Sequence, residues 1–492
     1  MDTASESRII IPRLKPSCTQ CQRSKKRCDR GKPRCSACMR YGRECIYILR
    51  DDSLSLSSVE STPVSPVKTT QESEESFHAV FFLDSVLFRR SMNRLPELEL
   101  SFQDSLLNYI GDITSDRDFV HSYFSTIHPS MPFLSKKKFT ERILNPLSPP
   151  RSASTLLIAT MKLLADQLPE QGPRCKAYYL IKNSLLEAES SCSLELRVLQ
   201  AIISMAIFEL GHAIYPAAYL TVGYCVRYGS ALGLHKAVEH YYEEGFSITE
   251  SEERRRSWWA ILVLDRFINL GCADRAFLMT DPSSNSILPI DDAIWEENRE
   301  INAPVRRLFE PPTTAMGRFS LTAQSAILLG RVFRSIHEPP FSEAFWQNDV
   351  KVLDSTLVAL TSVSIEEGRF RGIGVCSPST ICYRYAVDEF PFAATETFIP
   401  QDFKRDIANG MLQLADAITS GDCTADEITP FCIEAIYRSA VFFGREHSRT
   451  GSLSEATSCA AVKEALNVIG KRWKGASLYA QMIDARVVTG IL

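Results

Sequence analysis

Six cysteines stand at positions 18, 21, 28, 35, 38 and 45, with arginine and lysine packed between them. Their spacing is Cys18-x2-Cys21-x6-Cys28-x6-Cys35-x2-Cys38-x6-Cys45, one C-x2-C-x6-C half used twice. A CxxC pair lets a single turn of chain present two thiolates to one tetrahedral ion, and a third ligand six residues later returns after one short helix. Each half therefore offers three sulfurs where zinc takes four. Three plus three satisfy two ions if two sulfurs are shared, one from each half, and by symmetry the first cysteine of each half is the one to bridge.

Three other chemistries compete for these thiols. A disulfide knot belongs to an oxidising compartment, yet no secretory signal opens the chain: Ile9, Ile10 and Ile11 form the only early apolar run before Pro12 and Arg13. Two separate mononuclear zinc sites need eight ligands, and the first histidine is His78. A redox CxxC site calls for a βαβ setting that the surrounding residues do not provide. A segment this short has almost no apolar core, so metal binding has to supply its folding free energy.

The charge is as uneven as the cysteine distribution. Residues 1–50 hold 13 Lys plus Arg against 4 Asp plus Glu, a formal +9, whereas the other 442 residues hold 42 against 55, a net −13. Six thiolates and two zinc ions together add −2, which leaves the loaded head near +7 and attractive to phosphate. A basic head on an acidic body meets a polyanion at one end only. Charge by itself gives salt-sensitive, non-specific binding; reading a sequence requires donors at base edges.

Three further elements must carry and separate this head. Residues 46–76 are dominated by Ser, Thr, Pro and charge, too polar to offset chain entropy, and read as a flexible linker without sustained heptads. From Phe77 onward apolar residues recur at helical spacing, as in Leu220, Tyr224, Tyr228 and Leu232, which end at Gly233, and in Trp258, Ile261, Leu262 and Asp265. Frequent proline between these runs predicts helices joined by irregular loops, hence one large all-α body. The most apolar stretch, 199–220, is broken by Glu209, His212 and Pro216, which argues against a membrane span. The chain thus divides into a basic arm at 1–17, a cysteine domain at 18–45, the linker and a helical body at 77–492.

The body holds residues that invite a catalytic reading: Arg255, Arg256, Trp258, Trp259, Asp265 and Arg266. Arginine beside aspartate on a helix more commonly makes a structural ion pair. His128, His212 and His235 have no metal-ligand spacing, and the phosphate-loop, nucleophile-elbow and dinucleotide motifs are absent. Nothing in the residues points to an enzyme.

The six-cysteine head resembles the fungal zinc binuclear cluster transcription factors in all its spacings and in Pro33 between the halves. The segments 123–139, 217–236 and 252–296, and more weakly 429–443, resemble the regulatory middle homology domain that follows the cluster in that family. The resemblance implies a small two-zinc binuclear cluster domain, made of two helix-plus-extended halves, followed by a large all-α regulatory domain. It implies two zinc ions per chain: Cys18 and Cys35 bridging, Cys21 and Cys28 completing one ion, Cys38 and Cys45 the other. Lys25 and Lys26 fall at the family's base-contacting positions, suited to the O6 and N7 acceptors of guanine in a CGG-type triplet, while Arg23 and Arg27 would hold phosphates. Gln22 and Ser24 depart from the pattern, where basic residues are usual.

The function so implied is zinc-dependent, sequence-specific binding of double-stranded DNA in the nucleus, regulating RNA polymerase II transcription. The resemblance points to a pathway-specific activator of a secondary-metabolite gene cluster, with control of nutrient utilisation as the alternative. Partners would include transcriptional coregulators, and the family admits a homodimer and a small-molecule effector; no membrane is involved. The reading from a different class is a zinc-stabilised module that binds a protein or RNA.

Overall fold

In the computed structural model, residues 13–14, 21, 26–29, 35–40, 45, 49–50, 82, 97–112, 118–144, 151–191, 193–242, 245–269, 275–297, 303–313, 316–337, 343–370 and 401–490 are described. The chain splits into two compact units, Met1–Leu95 and Pro96–Leu492.

In the first unit, the strands β1 (Arg13–Leu14) and β2 (Leu49–Arg50) pair antiparallel, with Arg13 opposite Arg50 and Leu14 opposite Leu49. This ladder ties the residues before the first cysteine to those after the sixth. Between them lies a five-residue helix, α1 (Ser36–Arg40). Among the described residues of this unit, Cys21, Cys35 and Cys38 are buried together, flanked by the half-buried Cys28, Ala37 and Cys45.

The second unit is helical, in keeping with its apolar periodicity. Its first half contains α2 (Gln103–Ile110), α3 (Asp118–Ser122), α4 (Ser152–Ala165), α5 (Lys176–Ser190), α6 (Leu196–Gly211), α7 (Ala217–Ala231) and α8 (Ile248–Ile268). There follow α9 (Asp292–Glu296), α10 (Arg318–His337) and α11 (Glu343–Phe370), then α12 (Gln401–Ser420), α13 (Pro430–Thr450), α14 (Leu453–Ile469) and α15 (Lys474–Val488). Helix α6, buried around nearly its whole circumference, is the hub. It packs on α4, α7 and α8, and meets α13 and α15 of the C-terminal bundle.

Where α6 meets α15, side chains give way to backbone. A Cβ on Gly211 would lie 2.5 Å from the Trp473 ring, and one on Gly475 would lie 2.7 Å from the Gly211 carbonyl oxygen. Only glycine permits that approach. The Trp473 indole N–H donates to Ile428 O at 2.8 Å, fixing the ring against the start of α13.

Helix α8 begins with a capping box: Ser247 Oγ accepts from Glu250 N at 3.2 Å while Glu250 Oε2 accepts from Ser247 N at 3.1 Å. From Ser251 to Ile268 every residue is buried, charged ones included. Glu252 sits between two guanidinium groups: Arg256 Nε donates to its Oε1 at 2.8 Å and Arg255 Nη1 donates to its Oε2. Arg256 also reaches Pro132 O, Ile290 O and Asp292 Oδ1, at 3.0, 2.7 and 3.0 Å. Arg255 holds Ala237, His240 and Tyr241 through their carbonyl oxygens. Glu253 accepts from Lys138 Nζ at 2.9 Å and Gln200 Nε2 at 3.3 Å.

One helix end further on, Asp265 accepts the backbone N–H groups of Leu278 and Met279, each at 3.1 Å, and pairs with Arg266. Burial raises the Asp265 carboxyl and lowers the Arg266 guanidinium, each partly offset by the other. Arg266 lies so close to α10 that a Cβ on Gly330 would stand 2.8 Å from its Nε. Arg255, Arg256, Asp265 and Arg266, which invited a catalytic reading, thus pin loops to α8.

The regular spacing of Leu220, Tyr224, Tyr228 and Leu232 does mark a helix, and Gly233 follows it at φ 74°. It does not mark one buried face. Each step of four residues drifts about 40° around an α-helix, so Leu220 is 65% exposed while Tyr228 is 5% exposed. No helix among the described residues is long and apolar enough to cross a membrane.

Two expectations follow, both readable by tryptophan fluorescence in the intact chain, because all five tryptophans lie beyond residue 250. Arg256→Met leaves Glu252 buried with one charge partner fewer and should cost about 3–5 kcal/mol in urea unfolding. His212 is buried between Phe208 and Trp473, its Nδ1 accepting from Lys474 N at 3.3 Å. Burial lowers its pKa from the ordinary 6.5 to about 3. The unfolded chain therefore binds the proton first, and the stability held by the neutral ring is full above pH 6.5 and drains away as pH falls toward 3. His212→Gln keeps an acceptor but does not titrate, so its unfolding free energy should fall less steeply below pH 6.5, by up to about 1.4 kcal/mol per pH unit.

Candidate metal centre and nucleic-acid interface

The cysteine spacing converges in space. The Sγ atoms of Cys21, Cys35 and Cys38, all three residues buried, lie within 4.8 Å of one another. A second group joins Cys28 Sγ, an Asp29 carboxylate oxygen and, again, Cys35 Sγ. Cys35 is common to both.

The distances suit zinc. With Zn–S bonds of about 2.3 Å, two sulfurs on one tetrahedral ion lie roughly 3.8 Å apart; Cys21 Sγ and Cys35 Sγ are 3.6 Å apart. Backbone donors already aim at the sulfurs: Cys38 N at Cys35 Sγ, 3.4 Å, and Cys35 N at Cys45 Sγ, 3.2 Å. The Cys38 N–H favours the Cys35 thiolate, the form a metal requires, while burial and the Cys45 thiol oppose it and leave the Cys35 thiol above its ordinary value.

Local structure explains how the sulfurs meet. The chain at Cys21 is helical, and Lys26 N donates to Cys21 O at 2.9 Å, which ties Lys26 to the first half's second cysteine. In the second half, Met39 N donates to Cys35 O at 3.0 Å, so α1 brings Cys35 and Cys38 round to one side. Lys26 and Arg27 are exposed. Cys18, Arg23 and Lys25 lie outside the described residues, as do Gln22 and Ser24.

Two features escaped the sequence reading. One is the Arg13–Leu14 and Leu49–Arg50 ladder, too short to leave a periodic signal. The other is Asp29, whose carboxylate accepts from Ser36 N at 2.9 Å and from the Ser36 hydroxyl. Its signal was present: a carboxylate beside the third cysteine and a hydroxyl residue beside the fourth are capping types at the start of a helix.

With this geometry in place, comparison with known proteins is decisive. The fungal Zn(2)-Cys(6) binuclear cluster domain family matches residues 16–53, and the fungal specific transcription factor domain family matches residues 120–339. Transcription factor BOA15 of Botryotinia fuckeliana is 38% identical over 157 residues, 32% of this chain and 86% of that protein. The chain belongs to the fungal Zn(2)-Cys(6) transcription factors.

As a member, the factor binds DNA and two zinc ions, and its relatives are transcription factors, not enzymes. Transcription factor tazR of Aspergillus terreus is 35% identical over 162 residues, 31% of this chain and 25% of that protein. A depudecin biosynthesis cluster-specific transcription activator, DEP6 of Alternaria brassicicola, is 24% identical over 175 residues, 31% and 27% of the two chains. The factor therefore spans most of BOA15 but only about a quarter of tazR and DEP6. The domain match over 120–339 takes in three of the four body segments singled out above; 429–443 lies beyond it.

Because sulfur is the core of the head, metal removal should dismantle it alone. Treating the purified factor with a strong chelator should release two zinc per chain and abolish DNA binding, with the tryptophan emission of the body unchanged. Cys21→Ser should reproduce the loss of DNA binding without chelator.

Proposed function

We propose that the factor reads a CGG-type triplet in the major groove and regulates RNA polymerase II transcription from the nucleus, as a pathway-specific activator of a secondary-metabolite gene cluster. The observation that carries the DNA reading is the convergence of cysteine sulfurs on the shared Cys35, with Lys26, bonded through its N–H to Cys21 O, and Arg27 both exposed. In this reading Cys18 and Cys35 bridge the two ions, Cys21 and Cys28 complete one, and Cys38 and Cys45 complete the other. The same reading takes residues 18–45 as the DNA-binding domain, with 1–17 as a basic arm, 46–76 as linker and 77–492 as regulatory body.

Lys25 and Lys26 would donate to guanine O6 and N7, and Arg23 and Arg27 would grip phosphates and set the register. The activator assignment leans on DEP6, whose name describes a biosynthesis cluster-specific activator. Coregulators, a second copy of the chain and a small-molecule effector are the partners open to the body.

The test compares CGG-containing and scrambled duplexes at physiological salt, with the full chain and fluorescence anisotropy. Lys25→Ala should reduce discrimination at the guanines by about 1–3 kcal/mol, whereas Arg27→Ala should weaken all duplexes alike and flatten the salt dependence. Equal losses on both duplexes for both variants would overturn the residue assignment, and wild-type indifference to sequence would favour a protein- or RNA-binding head.

A further inference from the structure

We propose that Asp29 is a positioning residue of the zinc cluster, a clamp that holds the second C-x2-C-x6-C half against the first. It follows Cys28, the last cysteine of the first half, and its two carboxylate oxygens are both engaged by the first residue of α1. Oδ1 accepts from Ser36 N at 2.9 Å, and Oδ2 accepts from the Ser36 hydroxyl and, at 3.2 Å, from Ser36 N. Ser36 in turn follows Cys35, the sulfur common to both groups. The clamp therefore bridges residues 30–34 and joins the end of one half to the start of the other, next to a ligand on each side.

Among the described residues, the halves are otherwise linked by the Arg13–Leu14 and Leu49–Arg50 ladder at their outer ends and by the approach of Cys21 Sγ to Cys35 Sγ, so the clamp is the tie beside the connection itself. The Ser36 N–H is one of the unsatisfied donors at the start of α1, and the Asp29 charge complements that end of the helix. A five-residue helix cannot hold its own geometry in water. Fixing its first residue fixes the direction from which Cys35 and Cys38 approach the metal. Groups that orient metal ligands in this way typically contribute 10–100-fold to metal affinity. The carboxylate lies near Cys28 Sγ and Cys35 Sγ as well, but both of its oxygens face Ser36 donors, which assigns it to orientation and not to ligation.

The inference rests on the two-zinc cluster of the family and not on the CGG reading, and the experiment keeps the two apart. The full-length factor and its Asp29→Ala, Asp29→Asn and Ser36→Ala variants would be loaded with zinc and challenged with a chromophoric chelator. Asp29→Ala should hold zinc about 10–100-fold more weakly. Asp29→Asn, which keeps a carbonyl acceptor for the Ser36 N–H, should recover most of that loss, and Ser36→Ala should fall between them. The graded pair decides the matter even if Asp29→Ala fails to load two ions. In the cobalt-substituted protein, the thiolate-to-metal absorption should be the same for wild type and Asp29→Asn. Zinc retention in Asp29→Ala equal to wild type would overturn the proposal, and so would a cobalt spectrum altered by Asp29→Asn, which would make Asp29 a ligand. A wild-type protein with no CGG preference would sink the DNA reading and leave this comparison standing.

Discussion

A charge taken out of water has to be matched where it lies, and the helical body is organised around that requirement on α8. Glu252, Glu253, Arg255, Arg256, Asp265 and Arg266 are all buried on one helix. Their partners come from segments far along the chain: Pro132, Lys138, Gln200, Ala237, Met279 and Ile290. Breaking one partnership in such a network strands a charge in the interior, which costs more than an intact pair contributes. The ion network therefore acts chiefly as a set of addresses, fixing which loop meets which turn of α8, while the apolar surface of α6 and its neighbours supplies the bulk of the burial.

The head solves the same problem with different physics. Among its described residues the buried cluster is Cys21, Cys35 and Cys38, with Cys28 and Cys45 against it, and in so short a segment the two zinc ions of the family cluster supply the folding free energy. Cys35 is central because its sulfur belongs to both groups, and the residues around it are occupied in keeping it there: Cys38 N and Cys21 Sγ at its sulfur, Ser36 held by Asp29. A DNA-binding surface built on so few contacts depends on metal for its shape. Its activity is thereby tied to zinc, whereas the stability of the body is tied to burial and to the protonation of groups such as His212.

Much of the site was legible in the chain because metal-ligand spacing is a local property. The two C-x2-C-x6-C halves mark a cluster of thiols with metal-ligand spacing, whatever the rest of the molecule does, and the basic run between Cys21 and Cys28 is read in the same glance. Asp29 was not legible as a clamp, because its meaning depends on Ser36 swinging round to it across the connection between halves. In the body, the helices were readable from apolar spacing, but Leu220 shows the limit of that signal. It shares a four-residue rhythm with Tyr228 and yet faces solvent, because the rhythm and the helix have different periods.

The sequence by itself determined the zinc chemistry of the head, its positive charge and the helical character of the body, since ligand spacing, charge and amphipathic period are written within a few turns of chain. Tertiary structure alone decided which charges of RRRSWWAILVLDR are buried, which backbone groups they hold, and why Gly211, Gly330 and Gly475 stand where helices or side chains close in. The physical reason is that burial and its compensation are properties of contacts between residues tens or hundreds of positions apart. No local pattern records those contacts until the chain has folded.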